Sequence, residues 1–151
     1  GSAHQGLREY QAPVEYGRSE IIRKGKKIAV LGVGSMIPSC MEICKGLKDD
    51  GYDPTFVNAR FVKPLDVDLL DELAKDHSLF VTVEENVKSG GYGEHVSAYM
   101  EACHPEIRVL SAAVWDRFVP QGNVESLRSR IGLGVEDIRQ AIEDSEELRE
   151  Q

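Results

Sequence analysis

Basic side chains are scarce in this sequence. Its 18 lysines and arginines stand against 26 aspartates and glutamates, and the formal net charge is −8. A protein that binds nucleic acid or an anionic membrane neutralises phosphate groups with clustered lysine and arginine. We therefore predict that this chain binds neither nucleic acid nor a membrane surface.

Long apolar segments are also missing. No run approaches the roughly 18 apolar residues that a membrane-spanning helix needs, and no signal-peptide pattern opens the chain. Residues 1–4, which begin with Gly1-Ser2, are interpreted as the remnant of an expression tag outside the fold. These patterns predict a soluble protein of the cytoplasm.

Cysteine is rare and its number is odd: the chain has Cys40, Cys44 and Cys103. Such a set does not form a disulfide framework, so reduced thiols are expected. Cys40 and Cys44 are four positions apart and share a helix face, and Cys103-His104 could add metal ligands. Zinc sites, however, favour closer turn-borne pairs of the C-x-x-C kind. The preferred interpretation is buried thiols that pack as small hydrophobic groups, without a metal.

The 151 residues, of which 41% are hydrophobic, are enough for one domain with a buried core. Apolar runs bounded by turn residues alternate with segments of helical periodicity. The predicted strands are 28–33, 55–59, 79–83 and 107–113; the predicted helices are 36–49, one that Asp66 caps, 92–103, 123–131 and 135–148. This alternation predicts an α/β fold, a three-layer αβα sandwich with a mostly parallel sheet of about five strands.

The first part of the chain is predicted to belong to a lead-in. Residues 5–27 are assigned to a lead-in from a preceding domain, with a small hairpin or strand start at 21–28, and residues 28–151 to the main domain. At the other end, the acidic run 143–151 is predicted to be solvated and to fray. In the helix 36–49 the predicted inward stripe consists of Ile37, Met41, Cys44 and Leu47.

A glycine turn, Gly32-Val33-Gly34-Ser35, follows the first apolar strand and opens a helix. Free backbone amides and the helix dipole favour an anion at such a place. The third glycine position of a dinucleotide fingerprint holds Ile37, however, and no Walker lysine follows. Asp53 begins a strand, whereas a ribose-binding acid ends one. We predict a tight structural turn and keep anion binding as the alternative.

Two glutamates, Glu84 and Glu85, close a strand at the carboxyl edge of the predicted sheet, where α/β proteins usually bind ligands. Adjacent residues of a strand point to opposite faces, so this pair does not form a matched acid and base. We expect one of the two to accept hydrogen bonds from backbone amides of the following glycine loop, which contains Gly90, Gly91 and Gly93. A structural or subunit-contact role is therefore favoured over catalysis.

The four histidines are scattered. His4 lies in the tag remnant, His77 is predicted to end a helix as a cation that suits the dipole, His95 lies in a first helical turn, and His104 precedes a proline. None stands in an order typical of nucleophilic catalysis. Phe118, together with Trp115 and Arg117, is predicted to be either an exposed interface anchor or part of an aromatic pair at the core edge.

Several motifs in one order resemble the C-terminal domain of the 1-deoxy-D-xylulose-5-phosphate synthases, which are thiamine-diphosphate enzymes of the transketolase group. The resemblance runs from about residue 14 to 142. It rests on VEYGR at 14–18, RFVKPLD at 60–66, TVEEN at 82–86, GGYG at 90–93, FVPQG at 118–122 and Gly132-Leu133. RFVKPLD is fairly specific, whereas TVEE and GG-x-G also occur in split transketolases and in beta subunits of pyruvate dehydrogenase-type enzymes. Residues 113–117 depart from the family's Gly-hydrophobic-Pro-Asp stretch, and only Asp116 matches.

The resemblance implies a transketolase C-terminal domain-like fold and a parent transferase. With thiamine diphosphate and Mg²⁺, that enzyme condenses pyruvate with glyceraldehyde 3-phosphate, which serves isoprenoid and thiamine synthesis. The chemistry needs a Gly-Asp-Gly cradle for the metal and the diphosphate, and this sequence contains none. In the family the cradle lies in the preceding domains, so the resemblance implies no catalytic, cofactor-binding or metal-binding residue in this chain.

By the same resemblance, the domain is expected to be inactive alone, to pack against the preceding domains of the enzyme and to help form a homodimer. The implied structural or interface candidates are Asp66, Glu84, Glu85, Gly90, Gly91, Gly93 and Phe118. Two other interpretations stay open. One is the small C-terminal subunit of a split transketolase or 2-oxoacid dehydrogenase. The other is a stand-alone anion-binding α/β module that uses the helix start at Gly34.

Overall fold

The computed structural model describes residues 16–85, 91–114, 130–131 and 134–150. Within them strands and helices alternate along the chain, beginning with a short strand and ending with a long helix. In chain order the elements are β1 (Glu20–Arg23), β2 (Lys27–Gly32), a 3₁₀ turn (Gly34–Met36), α1 (Ile37–Asp49), β3 (Thr55–Asn58), α2 (Val67–Ala74), β4 (His77–Glu85), α3 (Tyr92–Cys103), β5 (Arg108–Val114), β6 (Arg130–Ile131) and α4 (Val135–Glu150).

The strands of this part of the chain form one sheet in the order β1-β3-β2-β4-β5-β6. All neighbouring pairs are parallel except β1 with β3, which is antiparallel. In the central register Val30 lies beside Phe56 on one side and beside Val81 on the other. The predicted α/β fold with a mostly parallel sheet is confirmed, with six strands in the described residues where about five were expected.

The sheet is covered on both faces, which explains why β2 and β4 are apolar in continuous runs. On one face, α1 and α4 pack against Val30, Phe56 and Val81. On the other face, α2 and α3 pack against Leu31 and Phe80. The three layers therefore enclose two apolar clusters, one on each side of the sheet.

The prediction of a hairpin at residues 21–28 is wrong. β1 pairs with β3 at the outer edge of the sheet, and β2 lies on the far side of β3. The physical reason is that β2 is buried on both faces and already has parallel neighbours on both sides, so it offers no free edge to β1. The strand-start alternative is confirmed. The proposed domain boundary at residue 27 stays a prediction.

The inward stripe of α1 is also corrected. Cys40, Ile43, Cys44 and Leu47 are buried, whereas the side chain of Met41 is 49% exposed. The buried positions follow the spacing i, i+3, i+4, i+7 of a single helix face. Met41 lies about 100° around the helix from Cys40 and therefore points away from the sheet.

Three further expectations differ at the ends of elements. His77 does not end a helix: it is the buried first residue of β4. Arg130-Ile131 forms a strand because it pairs with Ser111 and Ala112 of β5, and residues 123–129 of the helix expected there lie outside the described residues. The acidic end does not fray at Glu146, which is 3% exposed and pairs with Arg108 at 3.0 Å. None of the helices within the described ranges has the length and apolar character that a membrane crossing requires.

Candidate functional site

The RFVKPLD motif forms a loop, residues 60–66, between β3 and α2. The residues that lead into β1, which we call the lead-in segment (residues 16–20), lie along this loop. The rings of Tyr16 and Phe61 make an edge contact with centroids 5.7 Å apart. Gly17 has a φ of 75°, and a Cβ there would lie 2.8 Å from Pro64 Cγ, so the close approach requires glycine.

Asp66 joins the lead-in segment to helix α2. Its Oδ2 accepts a hydrogen bond from the backbone N–H of Ser19 at 2.8 Å, and its Oδ1 accepts one from the N–H of Leu69 at 3.1 Å. The guanidinium of Arg18 lies 3.4 Å from Oδ1. Asp66 is buried, and the predicted N-cap role is confirmed because the second bond satisfies a free amide of the first helical turn.

An ion pair joins the last residue of the lead-in segment to the first residue of the 60–66 loop. Arg60 Nη2 lies 2.9 Å from Glu20 Oε1, and the two side chains are only 10% and 12% exposed. Arg60 adopts a φ of 61°, a conformation that costs energy for a residue with a Cβ. Its amide donates to Asn58 Oδ1 at 3.0 Å, and Ser19 Oγ donates to the carbonyl of Ala59. The lead-in segment is thus held at every one of its five residues.

Sequence reasoning identified both motifs but did not predict that they touch. VEYGR and RFVKPLD are more than 40 positions apart, and no periodicity connects them. The available signal was the charge pattern: Arg18 of the first motif pairs with Asp66 of the second, and Arg60 of the second motif pairs with Glu20, two positions after the first.

A second polar cluster lies at the carboxyl end of β4. Glu84 is 8% exposed and accepts two backbone hydrogen bonds: Oε1 from the N–H of Tyr92 at 2.9 Å and Oε2 from the N–H of Gly93 at 2.6 Å. These are amides of the first turn of α3, which have no partner within the helix. The negative charge also suits the positive end of the helix dipole. The prediction that one glutamate holds the glycine loop is confirmed, and that residue is Glu84.

The other predicted residues of this cluster take different positions. Glu85 ends β4 with its side chain exposed. Gly91 precedes α3 in an extended conformation, and its carbonyl accepts the N–H of His95 at 3.2 Å. Gly90 and Phe118 lie outside the described residues.

Gly93 is the point of closest approach between α3 and the sheet. A Cβ there would lie 2.6 Å from Glu84 Oε2, 2.7 Å from Thr82 Oγ1 and 3.0 Å from Ser111 Oγ. Any larger residue would collide with oxygen atoms of two strands. The third glycine of the GG-x-G motif is therefore required by packing.

Tyr92, whose N–H binds Glu84, was not singled out from the sequence. Its ring is 2% exposed in the core beneath α3. Burial raises the pKa of its hydroxyl well above the usual range, and the negative charges of Asp66 and Glu84 raise it further. The hydroxyl therefore stays neutral at any physiological pH and does not serve as a base.

The glycine turn after β2 has a structural explanation. Gly34 has a φ of 56°, and the N–H of Val33 donates to the carbonyl of Val83 at 3.2 Å. A Cβ on Gly32 would lie 2.5 Å from Cys40 Sγ. The predicted tight turn is confirmed, since both glycines are needed by the backbone and by packing.

Thr55, His77 and Asp76 reproduce the distances of a hydrolytic triad at the opposite edge of the sheet. His77 Nε2 lies 2.7 Å from Thr55 Oγ1, and Nδ1 lies 2.6 Å from Asp76 Oδ1 and 2.9 Å from the carbonyl of Leu73. Thr55 is 0% exposed, however, and its oxygen already accepts the N–H of Gly25 at 2.8 Å. A substrate does not reach this hydroxyl, so the network is structural.

The cysteines divide into two environments. Cys40 and Cys44 are buried, as predicted, whereas Cys103 is exposed at the end of α3, so the prediction of a buried thiol is wrong for Cys103. Its neighbour His104 binds Asp71 Oδ1 through Nε2 at 2.7 Å, and Tyr99 donates to the same oxygen at 2.7 Å. Within the described ranges, no three histidine, cysteine or acidic side chains are placed to hold a metal ion.

The chain thus forms an α/β sandwich with a mostly parallel sheet, in which Asp66 and Glu84 hold the starts of two helices and Asp66 also binds the lead-in segment. The transketolase C-terminal domain model matches residues 17–138, and the chain belongs to this family. Among curated proteins it is 38% identical over 138 residues to the 1-deoxy-D-xylulose-5-phosphate synthase of Lachnoclostridium phytofermentans. It is 39% identical over 137 residues to that of Dictyoglomus thermophilum.

Each alignment covers 91% of this chain but only 22% of the relative, so the chain spans about a fifth of the length of these synthases. The predicted resemblance to their C-terminal domain is confirmed. Among solved structures the chain is similar to a split-gene transketolase described as an inactive β4 tetramer. The TM-score is 0.71 at 29% identity, over 89% of this chain and 45% of the other.

Proposed function

We propose that this chain is the non-catalytic C-terminal domain of a 1-deoxy-D-xylulose-5-phosphate synthase, and that it packs on the preceding domains and strengthens a homodimer. The parent enzyme is a cytoplasmic transferase that uses thiamine diphosphate and Mg²⁺ to join pyruvate to glyceraldehyde 3-phosphate for isoprenoid and thiamine precursors. The family match and the alignment to about a fifth of each synthase support this assignment.

The observation that carries the proposal is that the buried carboxylates of Glu84 and Asp66 bind the backbone of the domain itself. Both oxygens of Glu84 and both oxygens of Asp66 accept backbone hydrogen bonds. The fold of this domain therefore fixes the positions of both carboxylates, and each binds a free amide at the start of a helix. These two buried acids near the carboxyl edge of the sheet therefore organise the fold, and within the described residues no group of histidine, cysteine and acidic side chains is placed to hold a metal ion.

The similar split-gene transketolase gives a second line of support. That protein is described as an inactive β4 tetramer. A chain that contains a domain of this kind thus assembles with copies of itself without activity. We propose the same separation for the present chain: this domain contributes to assembly, and other segments of the polypeptide carry out catalysis.

Two measurements test the two halves of the proposal. Deletion of this domain from the parent enzyme should raise the dimer dissociation constant in sedimentation equilibrium, and an unchanged constant would contradict the assembly role. Calorimetry of the 151-residue chain with thiamine diphosphate and Mg²⁺ should show no binding heat, with the full-length enzyme as the positive control. Turnover of pyruvate by the isolated chain would refute the non-catalytic assignment.

A second candidate is the small C-terminal subunit of a split transketolase or 2-oxoacid dehydrogenase, favoured by the similarity to the split-gene transketolase. The two candidates differ in the gene. A reading frame that continues upstream of Gln5 and encodes a Gly-Asp-Gly motif would establish a domain of one long enzyme. A start codon at that place would establish a separate subunit.

A further inference from the structure

Exposed large hydrophobic side chains are concentrated at one edge of the sheet. Among the described residues they are Tyr16, Ile21, Ile22 and Met41, with 82%, 38%, 44% and 49% of their surface exposed. Three of the four lie within seven positions, in the lead-in segment and β1. Single exposed apolar residues are ordinary, but several along one edge indicate an interaction surface. We call Tyr16, Phe61, Ile21 and Ile22 the β1 edge surface.

The exposure of Tyr16 is imposed by a fixed backbone. The residues next to it are held by Pro64, Asp66 and Arg60 through the contacts of the lead-in segment. The rings of Tyr16 and Phe61 make an edge contact. The backbone that carries Tyr16 is therefore ordered before a partner binds, which lowers the entropic cost of binding.

Three basic side chains at this edge have acidic partners within the domain. Arg18 pairs with Asp68 at 3.0 Å, Arg23 with Asp53 at 2.7 Å, and Lys24 with Asp76 at 3.3 Å. An edge whose basic groups already have acidic partners is suited to contact with an apolar surface.

The backbone of β1 is unsuited to receiving another strand. Ile22 is the extra residue of a bulge, since Ile21 lies opposite Val57 and Arg23 lies opposite Phe56. Bulges on edge strands disrupt the regular row of hydrogen-bonding groups and oppose edge-to-edge pairing. A second copy that added its own β1 across a two-fold axis would need that row. The side chains are therefore the part of this edge that a partner would contact.

We propose that the β1 edge surface binds an apolar face of the domain that precedes this one in the same polypeptide. The inference rests on the proposed function. The synthases are several times longer than this chain, which aligns to 22% of them, and the family is that of a C-terminal domain. The preceding domain would be joined covalently to the lead-in segment that borders this surface, and a flexible tether that spans two sites supplies an effective concentration of about millimolar.

Hydroxyl-radical footprinting of Tyr16 in the full-length parent enzyme and in the isolated 151-residue chain tests the proposal. The oxidation rate of Tyr16 should be several-fold lower in the full-length enzyme. Equal rates would show that the surface stays open and would overturn the proposal. Protection of Tyr16 in the isolated chain that grows with protein concentration would assign the surface to a second copy and would also overturn it.

The matched variants are Tyr16→Ser and Met41→Ser, which remove exposed apolar side chains at two separate places. In the full-length enzyme, Tyr16→Ser should speed hydrogen exchange of the β1 amides, while Met41→Ser should not. If both variants leave exchange unchanged, the side chain of Tyr16 contributes nothing to docking and the inference fails. In the isolated chain both should unfold at the wild-type urea concentration, because neither side chain is buried.

Two experimental outcomes separate an error in the location of the docking surface from an error in the proposed function. A parent enzyme that loses dimer affinity on deletion of the domain, but oxidises Tyr16 as fast as the isolated chain does, contradicts only the location of the contact. Heat of thiamine-diphosphate binding to the isolated chain, with Tyr16 protected in the full-length enzyme, contradicts only the non-catalytic role.

Discussion

The backbone amide of Ser19 donates to the carboxylate of Asp66 at 2.8 Å, across 47 positions of sequence. The same carboxylate caps helix α2 at Leu69. One acid therefore fixes both the start of a helix and the path by which the chain reaches the sheet. This bond explains why the aspartate of RFVKPLD and the lead-in segment belong to one structural unit.

Replacement of Asp66 by alanine removes the helix cap and leaves the Ser19 amide without its acceptor. A cap contributes about 1 kcal/mol and a hydrogen bond to a charged group about 1.5–3 kcal/mol, so we expect a loss of about 2–4 kcal/mol in the free energy of unfolding. Urea denaturation measures this loss. Asp68→Ala is the control, because Asp68 is an exposed acid of the same helical turn and its ion pair with Arg18 lies at the surface. Equal effects of the two changes would contradict the role assigned to Asp66.

The alternation of strands and helices was predictable because each apolar run is long enough to be a buried strand and each helix has a cap or a turn signal. Residues 92–103, for example, form the predicted helix without a shift at either end. The edge position of β1 was not predictable. Strand order depends on which edges are free in three dimensions, and local sequence carries no record of that.

The candidate site was predictable only in part. The pleat shows that Glu84 and Glu85 face opposite sides of the sheet, so one of them was bound to meet the following helix. Whether Glu84 or Glu85 meets that helix depends on which of them lies on the face of β4 that α3 covers. The Glu20–Arg60 pair was not predicted because its two residues lie far apart in sequence. The burial of Tyr92 was not predicted because it depends on how α3 packs on the sheet.

Glu84→Gln tests the acceptor role at the start of α3. A glutamine keeps the shape of the side chain, but one of its two oxygens becomes an NH₂ group that faces the N–H of Tyr92 or Gly93. The loss of one charged hydrogen bond and the apposition of two donors should lower the free energy of unfolding by about 2–3 kcal/mol. Urea denaturation measures it, with Glu85→Gln as the exposed control. If Glu84→Gln leaves the free energy of unfolding unchanged, the negative charge of Glu84 is not needed for stability.

Gly93→Ala should destabilise the protein even though alanine favours helices by about 1 kcal/mol. The new methyl group would meet oxygens of Glu84, Thr82 and Ser111, all held by the sheet. We expect a net loss of about 2–4 kcal/mol in the free energy of unfolding, because overpacking adds to a weakened charged hydrogen bond.

Gly46→Ala is the matched control for this collision. The methyl group would there meet the side chain of Arg139, which is able to move at the cost of ion pairs with Asp50, Glu136 and the partly buried Glu143. Exposed pairs contribute about 0–1 kcal/mol. The gain of about 1 kcal/mol in helix propensity offsets part of the cost, so the loss should be smaller than that of Gly93→Ala, at about 1 kcal/mol. Similar losses for both glycines would mean that the helix, and not the contact with the sheet, sets the cost.

Asp71 should titrate below the ordinary range of aspartate. The hydrogen bond from His104, followed by that from Tyr99, lowers the pKa of this carboxyl. Because the pKa in the folded state is below the unfolded value, the contribution to stability is present above about pH 4 and is lost as pH falls through the folded pKa. NMR titration of the carboxyl carbon measures the pKa. His104→Ala and Tyr99→Phe should each raise it, and an unchanged pKa in both variants would exclude these bonds as the cause.

The three thiols should differ in reactivity by their positions in the fold. Burial raises the pKa of Cys40 beyond the usual range and that of Cys44 to about 12, so neither forms the reactive thiolate at pH 8. Cys103 is exposed. A disulfide reagent should modify one thiol quickly in the folded chain and all three in urea, and Cys103→Ser should abolish the fast reaction. A second fast thiol would show that α1 separates from the sheet within the native state.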